Sequence, residues 1–357
     1  MSEKPKETEF EVVERRTWQM VAKDANDEPH IYDLEYTRSL PESLRKEIGK
    51  LLINNAAPTK INPTRRRKPG REDELAIYLP DAQIPFHNER AVQLGHVAIR
   101  ENYPDQVVVL GDMLDFETLS TFHSTQRPEW TGRMQDSLDR YHQMLAQIRA
   151  DAPDADIYAH HGNHERRFQR AIIQNNAELL GIKRADAARE LGVLTLEYLL
   201  RAKELDIKFI GGYPDGDLWL QDHFRSTHGT MSRSRGSTSA AYLQKDPYTN
   251  IVHGHSHRAE IQWITTPTRD GYTQRFGASP GSLTDIERTP SNSLTHTEHG
   301  EVVPRAMNWQ NAALGVEHNR EMAFPHLWMI HNGQLRMFGK TYELEEGEEV
   351  SIPRTEK

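Results

Sequence analysis

The chain has 357 residues, no cysteine, 18 histidines and a formal net charge of -9 with histidine neutral. The missing cysteine removes disulfides, thiolate metal sites and cysteine nucleophiles together, and the acidic balance argues against DNA binding by wholesale neutralisation of phosphates. No apolar run approaches the roughly 18 residues of a membrane span, and the charged start MSEKPKETEF is not a secretory signal, so a cytoplasmic protein without membrane association is expected.

Residues 1–53 read as an accessory module. Residues 17–22 and 30–36 predict two short strands around a turn-rich stretch, a hairpin; residues 1–12 are charged and expected to stay unstructured. Pro41-Glu42-Ser43 then opens a helix with Leu44, Ile48, Leu51 and Leu52 at helical spacing. Residues 54–73 (NNAAPTKINPTRRRKPGRED) are a linker by composition, with the basic run Arg65-Arg66-Arg67-Lys68 as a solvated connector or a nucleic-acid contact. From residue 74 the rhythm changes to alternating strand and helix. The pattern predicts strands over 75–79, 106–110, 156–160 and 207–210, and helices over 89–101, about 132–150, 165–180 and 185–203. The stretch 217–343 is strand-like and 344–357 is a charged tail. That order describes an α/β chain with parallel βαβ units first and a β-rich half after them.

Polar residues gather wherever one of these apolar strands stops. In chain order they are Asp81-Ala82-Gln83, Gly111-Asp112-Met113-Leu114-Asp115, Gly162-Asn163-His164-Glu165, His228-Gly229 and Gly254-His255-Ser256-His257. Open α/β folds bind ligands outside the carboxyl ends of their strands. Carboxylate, amide and imidazole are the donors that hard and borderline divalent metals take, and the neighbouring glycines permit sharp turns and close approach. Each block alone is a weak signal, whereas the ordered set is a strong one. His123, His160 and His161 read as packing or rim residues.

These blocks resemble the calcineurin-like metallophosphoesterases, whose pattern runs D-x-H, GD-x-x-D, GNH-[DE], H and GH-x-H; one position departs, Gln83 standing where the family has histidine. The stretch 277–283 resembles a strand-end stretch of the same family, and the Pro85-Phe86-His87 after the first block and Trp309-Gln310 are similar to phage-encoded members. The resemblance is thus to phage-type or Mre11-like members, and a phage origin would place the chain in a host cytoplasm. The resemblance implies a four-layer αββα sandwich over 74–343, with a small N-terminal appendage. It implies that Asp112 bridges two divalent ions, that Asp81, His257 and Gln83 complete metal one, and that Asn163, His228 and His255 complete metal two. A hydroxide shared by ions about 3.5–4 Å apart would attack the phosphate. His164, oriented by Asp115, would stay off the metals beside the leaving oxygen. Of Arg166 and Arg167, one would clamp phosphate and the other would be solvated.

Gln83 is neutral like imidazole but a harder, weaker ligand, which favours Mn²⁺ over Zn²⁺ or iron, with Mg²⁺ also open; His87 is an alternative donor. The expected function is a phosphodiesterase, a nuclease acting on nucleic acid, with Arg65 to Lys68, Arg166, Arg167, Arg233 and Arg235 tracking the strand. A phosphomonoesterase and a catalytically decayed binding protein are the alternatives.

Overall fold

The structure, a computed structural model, describes residues 11–16, 19–23, 29–33, 70–119, 134–185, 191–233, 236–269, 271–286, 294–296, 302–304 and 308–344. The helix expected from residue 41, most of the 54–73 linker and the tail from 345 lie outside them, as does His123.

Near the N-terminus, β1 (Glu11–Arg16), β2 (Gln19–Lys23) and β3 (Pro29–Asp33) form an antiparallel meander. The expected hairpin is β2–β3, with Gln19 opposite Asp33. The extra strand corrects the reading of residues 11 and 12 as part of an unstructured end. β1 pairs with β2 through its backbone ladder, a drive that its charged sequence EVVERR does not advertise.

The main body follows in chain order as β4 (Glu74–Leu79), α1 (Glu89–Asn102), β5 (Gln106–Val109), α2 (Met134–Asp151), β6 (Asp156–His160), α3 (Glu165–Asn176), α4 (Leu196–Leu199) and β7 (Ile207–Ile210). Next come β8 (Asp217–Gln221), β9 (Phe224–Thr227), α5 (Thr238–Lys245), β10 (Asn250–His253), β11 (Ala259–Thr268) and β12 (Gly271–Pro280). The small pair β13 (Leu294–His296) and β14 (Val302–Pro304) precedes β15 (Asn311–His318), β16 (Ala323–His331), β17 (Gln334–Met337) and β18 (Lys340–Glu343). One sheet runs β18-β17-β16-β15-β4-β5-β6-β7 and the other β11-β12-β10-β9-β8. β4 to β7 are parallel neighbours in that order.

Side-chain alternation along the strands explains the layering. Leu75, Ile77, Leu79, Val107 and Val109 point to a core shared with Val92, Leu94 and Ile99 of α1 and Leu138, Tyr141, Leu145 and Ile148 of α2. The residues between them, Ala76, Tyr78 and Val108, meet Phe224, Val252, Phe276 and Ala278 of the second sheet. A strand buried on both faces needs this continuous apolar run. α5 lies on the far side of the second sheet, against β10 and β12, so the order of layers is helix, sheet, sheet, helix. Between the sheets Phe224 packs edge-on to Tyr78 at 6.3 Å and tilted to Phe276 at 5.9 Å. Truncating a fully buried phenylalanine in such a seam costs about 3–5 kcal/mol.

Two helical expectations are corrected. Over 185–203 only one helical turn forms among the described residues. Thr195 caps it, its side chain accepting from the Tyr198 N–H, and Arg201 ends the segment at φ 57°. Leucine spacing alone predicts a long helix there, but local capping cuts it short. α3 likewise stops at Asn176 and continues to Gly181 as a 3-10 turn. α5, inside the stretch read as strand-like, starts where the Ser237 side chain accepts from the Ala240 N–H at 3.0 Å.

Candidate metal centre

Every polar block follows a strand of the two facing sheets, and the blocks converge. Asp81 follows β4, Asp112 follows β5, the segment 162–164 follows β6, His228 follows β9, and His255 and His257 follow β10. Backbone bonds tie these loops to one another. The Gln83 N–H donates to the Asp112 carbonyl at 2.9 Å, Gly254 to the His228 carbonyl at 3.0 Å, and Leu283 to the Asp81 carbonyl at 2.8 Å. Gln83, Asp112, His255 and His257 all hold left-handed backbone, with φ of 49°, 50°, 65° and 56°. Such conformations cost free energy in non-glycine residues and persist where the surroundings enforce them. Gly162 makes the close approach possible, since a Cβ there would lie 2.1 Å from Asp112 Oδ1.

Asp112, His228 and His255 bring one ligand atom each within 4.8 Å of one another. His228 Nε2 faces Asp112 Oδ2 at 3.3 Å and Asn163 Oδ1 at 3.2 Å, while its Nδ1 lies 2.8 Å from the Leu110 carbonyl. That carbonyl fixes the ring with Nδ1–H donating and Nε2 offered to the cluster, the arrangement a metal-ligating histidine needs. Asp81 Oδ1 lies 3.8 Å from His228 Nδ1 and 3.9 Å from His257 Nε2, and both its oxygens accept from the His255 N–H at 3.2 Å. The Gln83 amide nitrogen is 3.4 Å from His257 Nε2. The Gln83 Oε1 is buried with no hydrogen-bond partner. An acceptor left so costs free energy unless something electropositive meets it, and a divalent cation fits that requirement. The Asp112, His228 and His255 donors therefore suit a divalent ion, with Asn163 against His228 and with Asp81, Gln83 and His257 beside them.

Electrostatics follow from packing two carboxylates among imidazoles. Burial pushes Asp81 up to about 7, with His228 opposing and Asp112 adding to the rise. Burial also works against ionised Asp112, but His164 and His228 hold it well below the usual carboxylate range. Like charges in one site titrate as a pair, one held ionised and the other pushed toward its acid. Burial lowers His228, yet Asp112 carries it up to about 10, whereas burial keeps His255 and His257 down at about 4 and about 3. A dication beside Asp112 would lower His228 as well, freeing Nε2 as a neutral ligand.

His164 stands beside this cluster, with Nε2 3.7 Å from Asp112 Oδ2. Its Nδ1 is 3.1 Å from the backbone carbonyl of Asp115 and 3.6 Å from the carboxylate. Asp115 therefore orients the ring chiefly through its main chain. Burial disfavours the imidazolium, but Asp112 and Asp115 together raise the pKa of His164. Arg167 donates to the Asp115 carbonyl at 2.7 Å and to its Oδ1 at 3.1 Å, and its Nη2 is 3.2 Å from His164 Nε2. It is thus held against the His164–Asp115 pair, while Arg166 is exposed and reaches over the Tyr213 ring, 6.0 Å from its centroid. His87 turns to Glu89 at 2.9 Å and Arg140 at 3.3 Å. His160 bridges Ser226 and the Gly216 carbonyl, and His161 pairs with Glu197 at 3.1 Å.

Glu165, to which the sequence pattern alone assigns no role, holds the Asp112 loop. One oxygen accepts from the N–H groups of Asp112 and Gly162, both at 2.8 Å, and the other from Met113 and Leu114 at 2.7 and 3.0 Å. Its place in the third block was visible, but the partners are 51 to 53 residues away along the chain for three of the four bonds. Glu165→Gln puts an amide N–H against backbone donors and is expected to lower the unfolding free energy by about 3 kcal/mol in a urea titration. An unchanged midpoint would show that the loop holds its shape without the carboxylate.

Residues 85–259 match the model of the calcineurin-like phosphoesterase family. The span contains Asp112, Asn163, His164, His228, His255 and His257 and begins just after Asp81 and Gln83. The Gene 54 proteins of Mycobacterium phages D29 and L5 are 25% identical over 282 residues and 20% identical over 279, in each case covering 75% of this chain and 98% of the phage protein. Among solved structures, Vps29 from Entamoeba histolytica in complex with zinc overlaps 73% of this chain and 96% of its own at 12% identity, with a TM-score of 0.34. Pseudomonas putida nuclease MPE overlaps 70% and 87% at 13% identity, with a TM-score of 0.23. Among the described residues no helix is long and apolar enough to cross a membrane. With the family match and the ordered ligand blocks in hand, residues 85–259 form a calcineurin-like phosphoesterase domain.

Proposed function

We propose that the chain is a metal-dependent phosphodiesterase of the nuclease type. One observation supports the reading: Asp112, His228 and His255 offer converging donor atoms, and His164 Nε2 lies only 3.7 Å from the Asp112 carboxylate yet is held by Asp115 and Arg167. Asp81, Gln83, Asp112 and His257 would hold one ion, and Asp112, Asn163, His228 and His255 the other. Two bound cations would supply an activated water and polarise the phosphate oxygens. Hydrolysis forms one bond from water oxygen to phosphorus and breaks one ester bond, whose oxygen leaves with a proton. His164 is placed to give that proton from Nε2, its Nδ1–H staying on the Asp115 carbonyl. Protonation at Nε2 also ends its acceptance of the Arg167 N–H, releasing the guanidinium toward the phosphate. The exposed Arg166 gives a second cation at the rim, which supports a diester carrying further phosphates.

Rates on bis-p-nitrophenyl phosphate and on p-nitrophenyl phosphate, with Mn²⁺ and with EDTA, test this. The diester is expected to turn over with Mn²⁺ and not with EDTA. Activity on the monoester alone would instead make the chain a phosphomonoesterase, and activity on neither a binding protein.

Gln83 bears on metal choice. Its hard amide oxygen favours Mn²⁺ over Zn²⁺ at metal one. Gln83→His, which installs the softer imidazole, is expected to tighten Zn²⁺ at that position about 10-fold or more in a competition titration. Unchanged Zn²⁺ affinity would mean that residue 83 is not a ligand.

A further inference from the structure

Two aromatic rings stand against the ligand cluster, one on a histidine of each metal set. Tyr213 lies in the turn after β7, half-buried, its ring 5.8 Å from that of His228 at 62°. Trp309, also half-buried, sits 4.3 Å from His257 at 51°. His228 and His257 in turn flank one oxygen of Asp81, at 3.8 and 3.9 Å.

Neither ring is placed by chance. Trp309 precedes Gln310, whose N–H donates to the His257 carbonyl at 3.1 Å and whose carbonyl accepts from Ser282 at 2.9 Å. The Gln310 side chain accepts from the Ala259 N–H at 3.1 Å. Gly281, at φ 85°, permits this approach, since a Cβ there would come within 2.3 Å of the Gln310 oxygen. Tyr213 carries the Arg166 guanidinium over its ring, and the guanidinium makes no hydrogen bond among the described residues.

We infer that Tyr213 and Trp309 are stacking platforms for the two bases flanking the scissile phosphate, and that the substrate is single-stranded nucleic acid. The inference rests on the phosphodiesterase reading above and names its substrate class. A monoester has one organic group and a diester two, and an aromatic ring waits beside each metal set. Every base has a π face, so such platforms tolerate any sequence. In a duplex those faces are covered by neighbouring base pairs, and only a splayed strand can offer them. For a chain of net charge -9, stacking and the metals would carry affinity in place of a basic groove, so binding would depend only weakly on salt.

The test compares a pentathymidylate, an abasic strand of the same length, and the thymidylate paired in a duplex, using the full chain with Mn²⁺. The single strand is expected to exceed both others in kcat/KM. In Tyr213→Ala and in Trp309→Ala the ratio of thymidylate to abasic kcat/KM should fall about tenfold, mainly through KM. Tyr213→Phe and Trp309→Phe, which keep a π face, should retain the ratio, separating stacking from a folding defect. Binding of labelled pentathymidylate to the H164A protein, read by anisotropy, should weaken about tenfold on adding either alanine substitution. A ratio unchanged in both alanine variants, or a duplex cleaved as well as the single strand, would overturn the inference while leaving bis-p-nitrophenyl phosphate hydrolysis intact. Loss of hydrolysis on every diester in the unaltered chain would overturn the phosphodiesterase reading itself, and this inference with it.

Discussion

Asp112→Asn is expected to lose bound metal and hydrolysis together. In the proposed two-ion site one carboxylate would serve both donor sets, and both its oxygens are already engaged: Oδ1 accepts from the His164 N–H at 2.8 Å, and Oδ2 faces His228 Nε2 at 3.3 Å. Asparagine keeps the shape but removes the charge, and its NH₂ would point a donor at either the His164 N–H or the His228 ring. The loss should exceed the roughly 10–100-fold in metal affinity that follows from changing a ligand's hydrogen-bond partner, because here the shared ligand itself changes. Metal analysis of dialysed protein, read beside the rate on bis-p-nitrophenyl phosphate, checks both halves. Retained metal with lost turnover would move Asp112 out of the ligand set.

His164→Ala should separate what Asp112→Asn joins. The ring touches the cluster only at 3.7 Å, and its hydrogen-bond partners are the Asp115 carbonyl and Arg167. Metal content should therefore stay, while kcat falls by about 10²–10⁴, the usual worth of a positioned general acid. The leaving group sharpens the test. p-Nitrophenolate departs readily without a proton and a nucleoside alkoxide does not, so the defect should be larger on an oligonucleotide than on bis-p-nitrophenyl phosphate. An emptied site in this variant would make His164 a ligand, and equal defects on both substrates would remove its role as proton donor.

How much of this was legible in the sequence depends on how local each cause is. The valine-rich run ending at Gly111-Asp112 and the strand ending before Gly162-Asn163 are set by short-range pattern, and β5 and β6 formed where expected. Placing the blocks at strand ends was enough to bring Asp81, Asp112, Asn163, His228, His255 and His257 together, because the topology of parallel strands does the gathering. What stayed hidden rests on partners far away in the chain. The Arg167 guanidinium meets Asp115 across 52 residues, so nothing nearby separates it from the solvated helix residue the reading allowed for. Tyr213 sits in the plain turn GGYPDG, and only the second sheet brings His228 to it. α5 was missed because eight residues, TSAAYLQK, carry too few turns for a helical period to show. Gln83 was read as a departure from the family pattern, and the buried, unpartnered Oε1 supplies the physical reason to treat it as a donor.

The most direct measurement strips the protein with chelator and returns Mn²⁺ while following both bound ion and the rate on bis-p-nitrophenyl phosphate. Two Mn²⁺ per chain are expected at full activity, with the rate rising as the second ion binds. Full activity with a single ion, or with EDTA present, would contradict it.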